Sequence, residues 1–192
     1  ILCADGALLS FGGGWEGVLG HGDEEEQLVP KKIDALPVLS AVSCGGFHSL
    51  ALSVTGEVYS FGTYNDVQKL LVPRRIESLI GVCVTAVCAG SYCSYVITNA
   101  GELYTFGCGA NGALGHGDIE DQHLPKVVSA LRGEHVIEAA AGGAHSLCVL
   151  RSGNVFGWGD GSDACLGLKL ATDQLTPLAY EHCCASPGIV IS

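Results

Sequence analysis

The sequence predicts an all-β fold, a β-propeller whose blades are four-stranded antiparallel sheets. Three observations predict it: one unit recurs four times along the 192 residues, the apolar segments are short, and 28 glycines supply tight turns between them. A helical repeat would need long apolar runs at a spacing of 3.6 residues, and none is present.

The repeat is marked by a glycine-ended turn, an aromatic–glycine pair six residues later, and a proline beyond it. The glycines of the pairs are 50, 45 and 52 residues apart: Gly12, Gly62, Gly107 and Gly159. We therefore expect a single partial propeller domain over residues 1–192. Its predicted blade repeats are approximately 1–37, 38–81, 82–134 and 135–188, with 189–192 starting a further blade.

Within one unit the strands follow in a fixed order. The segment "VLSAVSC" is the first strand and "HSLALS" the second, because each is short, apolar and flanked by turn residues. A turn with glycine second, such as Thr55-Gly56, opens a hairpin to the third strand, "EVYSFG". A long loop follows, and a proline begins the fourth strand, "VPKKI", at the edge of the sheet.

The second copy is shorter than the others. From the aromatic–glycine pair to the proline there are 18 residues in the first, third and fourth copies, but 11 in the second, from Gly62 to Pro73. The missing residues include the turn that reads "LGHG" in the first and third copies. The sequence therefore predicts one blade without a long loop.

The segments "CGGFHSLALSVTGEVYSFG" and "AGGAHSLCVLRSGNVFGWG" resemble the repeats of the regulator of chromosome condensation family. The shared pattern is a Gly-x-x-His-Ser strand, a polar–glycine turn, an aromatic–glycine pair, a Leu-Gly-x-Gly turn and a Pro-x-x-Val strand. The resemblance covers essentially the whole chain. It implies a seven-bladed ring, of which this chain would hold about four blades; a closed ring of four blades is the alternative.

The charge balance narrows the class of partner. Twenty acidic and nine basic residues give a net charge of −11, which disfavours binding to nucleic acid or to an anionic membrane and is compatible with a basic protein partner. We expect most of the ten cysteines to be reduced and buried as small hydrophobes. The expected location is intracellular, in the cytoplasm or at the cytoskeleton or cilium, with the nucleus left open.

Six polar residues occupy one repeat position and the position after it. We interpret them as structural, because a position that recurs around a ring serves blade packing, and we expect them to hydrogen-bond neighbouring backbone. They are His48, Ser49, Cys93, Ser94, His145 and Ser146. His21 and His116 recur in the "LGHG" turn, and two imidazoles are too few ligands for a zinc site.

Acidic residues follow that turn in the first and third copies. We expect them to line one rim as a candidate docking surface for a basic protein, because clustered charge steers encounter; an ordinary solvated loop is the alternative. The residues are Asp23, Glu24, Glu25, Glu26, Asp118, Glu120 and Asp121.

No catalytic, metal or cofactor site is predicted, because the glycine-rich loops lack the Gly-Lys-Ser/Thr ending of a phosphate site and no nucleophile arrangement stands out. The resemblance implies a non-catalytic protein-interaction propeller, a scaffold or partner-recognition domain, with any enzymatic activity elsewhere in a larger protein. The alternative it implies is guanine-nucleotide exchange on a small GTPase. Asp66 would then be an exchange-face residue, although a projecting wedge needs a longer loop than this copy has.

Overall fold

Antiparallel strands make up most of the regular structure in the computed structural model, which describes residues 1–64, 68–167 and 172–180. The described strands form one two-stranded sheet and three four-stranded sheets, each assembled from strands that are consecutive in the chain. This confirms the all-β fold and the four-stranded antiparallel blades expected from the repeats.

The strands fall into four blades. The first blade contributes β1 (Leu9–Gly12) and β2 (Gln27–Lys32), preceded by a bridge between Leu2 and Leu8. The second contains β3 (Leu39–Cys44), β4 (His48–Ser53), β5 (Val58–Tyr64) and β6 (Gln68–Arg75). The third contains β7 (Val84–Ala89), β8 (Cys93–Thr98), β9 (Leu103–Gly107) and β10 (Gln122–Val127). The fourth contains β11 (Val136–Ala141), β12 (His145–Leu150), β13 (Val155–Gly159) and β14 (Gln174–Ala179).

The predicted repeat boundaries at 37/38, 81/82 and 134/135 fall in the links between these blades. Residues 189–192, predicted to start a further blade, lie outside the described residues. The helices of the described ranges are single 3-10 turns, none of them of a length that could cross a bilayer. They are Trp15–Gly17, Glu77–Leu79, Ala110–Gly112, Ser129–Leu131 and Ser162–Ala164.

Each blade runs from an inner first strand to an outer fourth strand. The first strands of successive blades, β3, β7 and β11, contact one another, which places them on the inner side of the array. The fourth strands carry the prolines, and in the part of the chain that the structure describes each pairs with the third strand of its own blade and with no other strand. Because proline cannot donate to a ladder, an outermost strand is where it is tolerated.

The hydrophobic core lies between the blades. One cluster joins Tyr95 and Leu114 of the third blade to Cys148 and Trp158 of the fourth, and all four side chains are buried. A second cluster joins Leu50 and Val58 of the second blade to Phe106 of the third. Blade-to-blade packing thus supplies the apolar burial that a single four-stranded sheet lacks on its own.

The second blade replaces the long loop with an extended hairpin. Strands β5 and β6 continue their pairing as far as Tyr64 and Gln68, beyond the point at which the other blades open into a loop. The 3-10 turn and the Leu-Gly turn of the other long loops have no counterpart in the described part of this blade. The described part of the shortened copy therefore lacks the long loop, as its spacing predicts, and its third and fourth strands pair over a longer distance than in the other blades.

Candidate protein-interaction surface

Two sets of connections emerge at the same end of the sheets. We call this end the loop face; it carries the turns between first and second strands (45–47, 90–92 and 142–144) and the long loops between third and fourth strands (13–26 and 108–121). The acidic residues singled out in the sequence lie in these long loops, at the first and third blades, with the second blade between them. Loops carried by a rigid scaffold are where binding residues concentrate.

Two of the acids hold the shape of their own loops. Asp23 Oδ1 accepts a hydrogen bond from the backbone N–H of Glu25 at 3.1 Å, and Asp118 Oδ1 accepts one from Glu120 at 3.1 Å. Such aspartate turns fix the local backbone. Asp23 and Asp118 therefore contribute to loop conformation at equivalent places in two blades.

Glu24 connects the first blade to the second. Its Oε1 atom accepts hydrogen bonds from Glu16 N at 2.9 Å and from Lys69 Nζ at 2.8 Å, and Glu16 Oε2 lies 3.4 Å from the same ammonium group. The hydrogen bond from Lys69 holds the pKa of Glu24 below its ordinary value. Glu24 is thus occupied within the protein, although the sequence places it in a continuous acidic run.

The other acids are more available. The side chains of Glu25, Glu26 and Glu120 are exposed and make no hydrogen bond or ion pair with the described residues. Asp121 is also exposed, and its Oδ1 atom accepts a hydrogen bond from Gly109 N at 2.8 Å. The loop face therefore presents unneutralised carboxylates at the first and third blades.

An aromatic ladder runs across three blades of this face. The rings of Trp15 and Phe47 meet edge to face with centroids 6.1 Å apart, and those of Phe47 and Tyr92 stack at 4.7 Å. Trp15 is 64% exposed and Tyr92 45% exposed. Exposed aromatic rings of this kind are typical of protein-binding surfaces. The sequence interpretation missed the ladder; its signal was that Phe47 and Tyr92 each precede the His48 repeat position.

His21 and His116 stabilise the turns in which they lie. The Ser10 hydroxyl donates to Leu19 O at 2.7 Å and lies 2.9 Å from His21 Nε2, so that the imidazole N–H donates to the hydroxyl oxygen. Thr105 and His116 repeat this arrangement at 3.0 Å in the third blade. Burial lowers the pKa of both imidazoles. Among residues 1–64, 68–167 and 172–180, no three candidate ligands come together in a metal site.

His48 and Ser94 form a buried contact between blades. His48 Nε2 lies 2.8 Å from Ser94 Oγ, the two residues are 1% and 0% exposed, and burial lowers the pKa of His48 to about 4. Ser49 and Ser146 instead donate to carbonyls of the preceding blade, at Val18 O (3.4 Å) and Ala113 O (3.0 Å). Ser49 and Ser146 thus bond backbone of the preceding blade, whereas Ser94 and His48 bond each other's side chains.

The remaining two members of that set differ in burial. Cys93 is 2% exposed, and burial raises the pKa of its thiol to about 11, which makes it an inert packing residue. His145 is half-buried, with its ring against Gly142. Eight cysteines of the described residues are free; Cys93 and Cys148 are buried, whereas Cys44, Cys83 and Cys165 are exposed. The expectation of burial is therefore right for only some of them.

The carbonyl of Ala113 gathers three donors at the boundary between the third and fourth blades. The Tyr95 hydroxyl, the Ser146 hydroxyl and the Trp158 indole N–H lie 2.8, 3.0 and 2.9 Å from it. Tyr95 and Ser146 are also 2.6 Å apart. This network is fully buried and joins two blades, so its role is structural. Asp66, the exchange-face candidate, lies outside the described residues.

Known proteins share both the sequence pattern and the fold. Two profiles of the regulator of chromosome condensation (RCC1) repeat match, one at residues 5–52 and 100–149, the other at residues 40–67 and 136–165. The chain is 43% identical over 177 residues to the E3 ubiquitin-protein ligase HERC2 of Mus musculus, covering 85% of this chain and 4% of that protein. It is 35% identical over 180 residues to the ultraviolet-B receptor UVR8 of Arabidopsis thaliana, covering 88% and 41%.

The crystal structure of Prp20p from Saccharomyces cerevisiae is similar in fold, with a TM-score of 0.79 at 21% sequence identity, covering 90% of this chain and 46% of that one. The chain spans less than half the length of each of these three proteins.

Proposed function

Because the chain belongs to the regulator of chromosome condensation (RCC1) repeat family, we propose that it is a non-catalytic protein-interaction propeller, the scaffold or partner-recognition domain of a larger protein or assembly. Any enzymatic activity would then lie in other parts of that protein. The similarity to HERC2, an E3 ubiquitin-protein ligase of which this chain covers 4%, supports such a division. We also propose an intracellular location, which the free cysteines support.

One observation carries this proposal: the loop face combines an exposed aromatic ladder with carboxylates that have no partner among the described residues. Aromatic rings supply contact area at low entropic cost, and free carboxylates steer a basic partner toward that area. The net charge of −11 adds to the steering. We therefore propose a basic protein partner on the loop face.

A charge-reversal experiment tests this proposal. The variant Glu25→Lys, Glu26→Lys, Glu120→Lys inverts exposed charges that hold no loop together, and Trp15→Ala removes the end of the ladder. The matched control, Asp34→Lys, Glu102→Lys, Glu134→Lys, makes the same change at exposed acids of the opposite end of the blades. Affinity capture from native extracts and circular dichroism would be measured for each. We expect partner loss from the loop-face variants alone; equal capture by all variants would place the interaction elsewhere.

The alternative is guanine-nucleotide exchange on a small GTPase. Its support is the likeness in fold to Prp20p, whose crystal structure was described together with its binding to Gsp1p and histones. Against it stands the short connection of the second blade, where Asp66 would act. Nucleotide release from a panel of small GTPases distinguishes the two functions. Acceleration that Asp66→Ala abolishes would favour exchange, and an unchanged release rate favours the interaction propeller.

A further inference from the structure

The long loop of one blade docks on the fourth strand of the next. The backbone N–H of Gly22 donates to Leu71 O at 2.8 Å, and that of Gly117 donates to Leu175 O at 2.8 Å. In both cases the acceptor lies two residues before the proline of the following blade. The same backbone bond therefore joins the first blade to the second and the third blade to the fourth.

A side chain at the tip of each loop makes a second contact. Glu16 and Asn111 both have left-handed backbone, with φ of 59° and 56°, and each lies six residues before the donating glycine. Glu16 approaches Lys69, whereas Asn111 Nδ2 donates to Asp173 Oδ2 at 3.1 Å. Lys69 and Asp173 are both four residues before the proline of their blade. Each docking loop thus contacts the next blade at two positions: a side chain four residues before that proline and a backbone carbonyl two residues before it.

The third blade has both positions but receives no such loop from the described part of the shortened second blade. The positions are Asp121 and His123, counted back from Pro125. Asp121 Oδ1 is held by Gly109 N, as Asp173 Oδ1 is held by Gly161 N. The Oδ2 atom of Asp121 corresponds to Asp173 Oδ2 in the fourth blade, which accepts the hydrogen bond from Asn111 of the third blade. No described residue donates to that oxygen or, from another blade, to the carbonyl of His123.

Exposure shows what a docked loop covers. Leu175, beneath the loop of the third blade, is 36% exposed, whereas Leu28, at the same position in the first blade, where no described loop docks, is 85% exposed. His123 is exposed, and the adjacent Leu124 is 65% exposed. The hydrophobic core beneath the fourth strand of the third blade is shielded from solvent, because Phe106 is only 1% exposed. Among residues 1–64, 68–167 and 172–180, the vacancy is therefore confined to the outer surface of the third blade.

We propose that this vacancy, which we call the third-blade dock (Asp121, His123 and Leu124), binds a basic segment of a partner protein. A lysine or arginine would bond Asp121 Oδ2, and a backbone N–H about six residues later would donate to the His123 carbonyl. A cation is favoured over a neutral amide because Asp118 and Glu120 add negative charge nearby and charge-assisted bonds are stronger. The inference rests on the proposed function, since it assigns that partner a second point of contact.

A peptide titration tests the dock directly. The probe is Gly-Ala-Lys-Gly-Ala-Leu-Gly-His-Gly, which is residues 109–117 of this chain with lysine in place of Asn111; a second peptide carries glutamate at that place. Amide chemical shifts of the isotopically labelled chain are followed during titration. We expect shifts centred on the amides of Gly109, Asp121 and His123 with the lysine peptide, and at least fivefold weaker binding of the glutamate peptide.

The decisive variant is Asp121→Asn, whose Oδ1 atom still accepts from Gly109 N while a donor replaces the second oxygen. The matched control, Asp118→Asn, removes the same charge and keeps its own loop bond through Oδ1. We expect Asp121→Asn to weaken the lysine peptide about fivefold, roughly the loss of one exposed ion pair, and Asp118→Asn to change it less than twofold.

Equal effects of the two variants, shifts centred on the aromatic ladder, or no binding up to about 5 mM peptide would each overturn the dock. Partner capture that is lost with the charge-reversed loop-face variant but intact with Asp121→Asn would leave the proposed function standing and reject the dock alone.

Discussion

The Nε2 atom of His48 lies 2.8 Å from the Oγ atom of Ser94, across the boundary between the second and third blades. At the other described boundaries the equivalent serines, Ser49 and Ser146, donate to a carbonyl in the long loop of the preceding blade. The described part of the second blade has no such loop, and the partner of Ser94 is the histidine of the second blade. At the boundary between the third and fourth blades that repeat position is Cys93, and Ser146 bonds the loop carbonyl.

Removing this hydroxyl is expected to destabilise the chain. Ser94→Ala deletes the group that His48 Nε2 bonds in a fully buried place, at a cost of about 1–2 kcal/mol in the free energy of unfolding. Chemical denaturation monitored by tryptophan fluorescence measures it. Ser129→Ala, at an exposed serine in a link between blades, is the control and is expected to change nothing. Equal midpoints for the two variants would contradict the prediction.

The free energy of unfolding should decrease as the pH is lowered, because of His48. Burial lowers the pKa of His48 from 6.5 to about 4, so between those values the unfolded chain binds a proton that the folded chain does not. The contribution is fully present above pH 6.5 and is lost as the pH falls toward 4, by about 3 kcal/mol in total. His48→Gln has no titrating group. The difference in unfolding free energy between wild type and His48→Gln should therefore change over this window; a constant difference would be evidence against it.

Substituting two glycines that have left-handed backbone should distinguish the cost of backbone strain from the cost of a steric clash. Gly112 has φ of 76°, and a Cβ there would lie 2.8 Å from Leu175 Cα of the next blade, whereas Gly133 has φ of 89° with nothing within 4 Å. We expect Gly133→Ala to cost about 1 kcal/mol from backbone strain alone. Gly112→Ala should cost about 2 kcal/mol more, because the loop must move off the fourth strand. Similar thermal midpoints for the two variants would show that the loop yields freely.

The Tyr95 and Ser146 hydroxyls should act as a unit. They are 2.6 Å apart and share the carbonyl of Ala113. A double-mutant cycle with Tyr95→Phe and Ser146→Ala is expected to give a coupling of about 1 kcal/mol. The cycle is read from urea unfolding of the four proteins. Additive losses would mean that each hydroxyl serves Ala113 separately.

Thiol reactivity should divide the cysteines by burial. Burial raises the pKa of Cys93 to about 11 and that of Cys148 to about 12, so neither forms appreciable thiolate at pH 8. We expect iodoacetamide to label the exposed Cys83 and Cys165 in the folded protein, and Cys93 and Cys148 only after denaturation. Mass spectrometry of the labelled peptides measures each site. Rapid labelling of Cys148 in the folded chain would contradict its burial.

The blades could be predicted because their signals are local and repeated. Strand alternation, a glycine in each hairpin turn and a proline on each outer strand depend on neighbours within one unit, and each is written four times. The shortened copy could also be predicted, because the missing turn shortens the spacing between the aromatic–glycine pair and the proline. Each of these predictions needs only residues of one unit.

The site was less predictable, because its residues act across blades. Asp23 and Glu24 look alike in the acidic run, yet one holds its own loop and the other pairs with Lys69 of the next blade. The ladder joins Trp15, in a 3-10 turn of the first blade, to Phe47 of the second blade. The His48–Ser94 contact joins side chains of two different blades. Such contacts depend on how two repeats pack together and cannot be predicted from the sequence pattern of a single repeat.

The extended hairpin of the second blade also has a mechanical consequence. In an array of repeats, cooperativity depends on the interface between each pair of neighbours. Two of the described boundaries are joined on the outside by a docked loop. Among the described residues, the boundary between the second and third blades is joined further in, by the His48–Ser94 contact, a hydrogen bond from Ala89 N to Ser43 Oγ, and core packing. A force on the outer strands would therefore cross this boundary through its inner strands, whereas at the other two boundaries the docked loop shares the load.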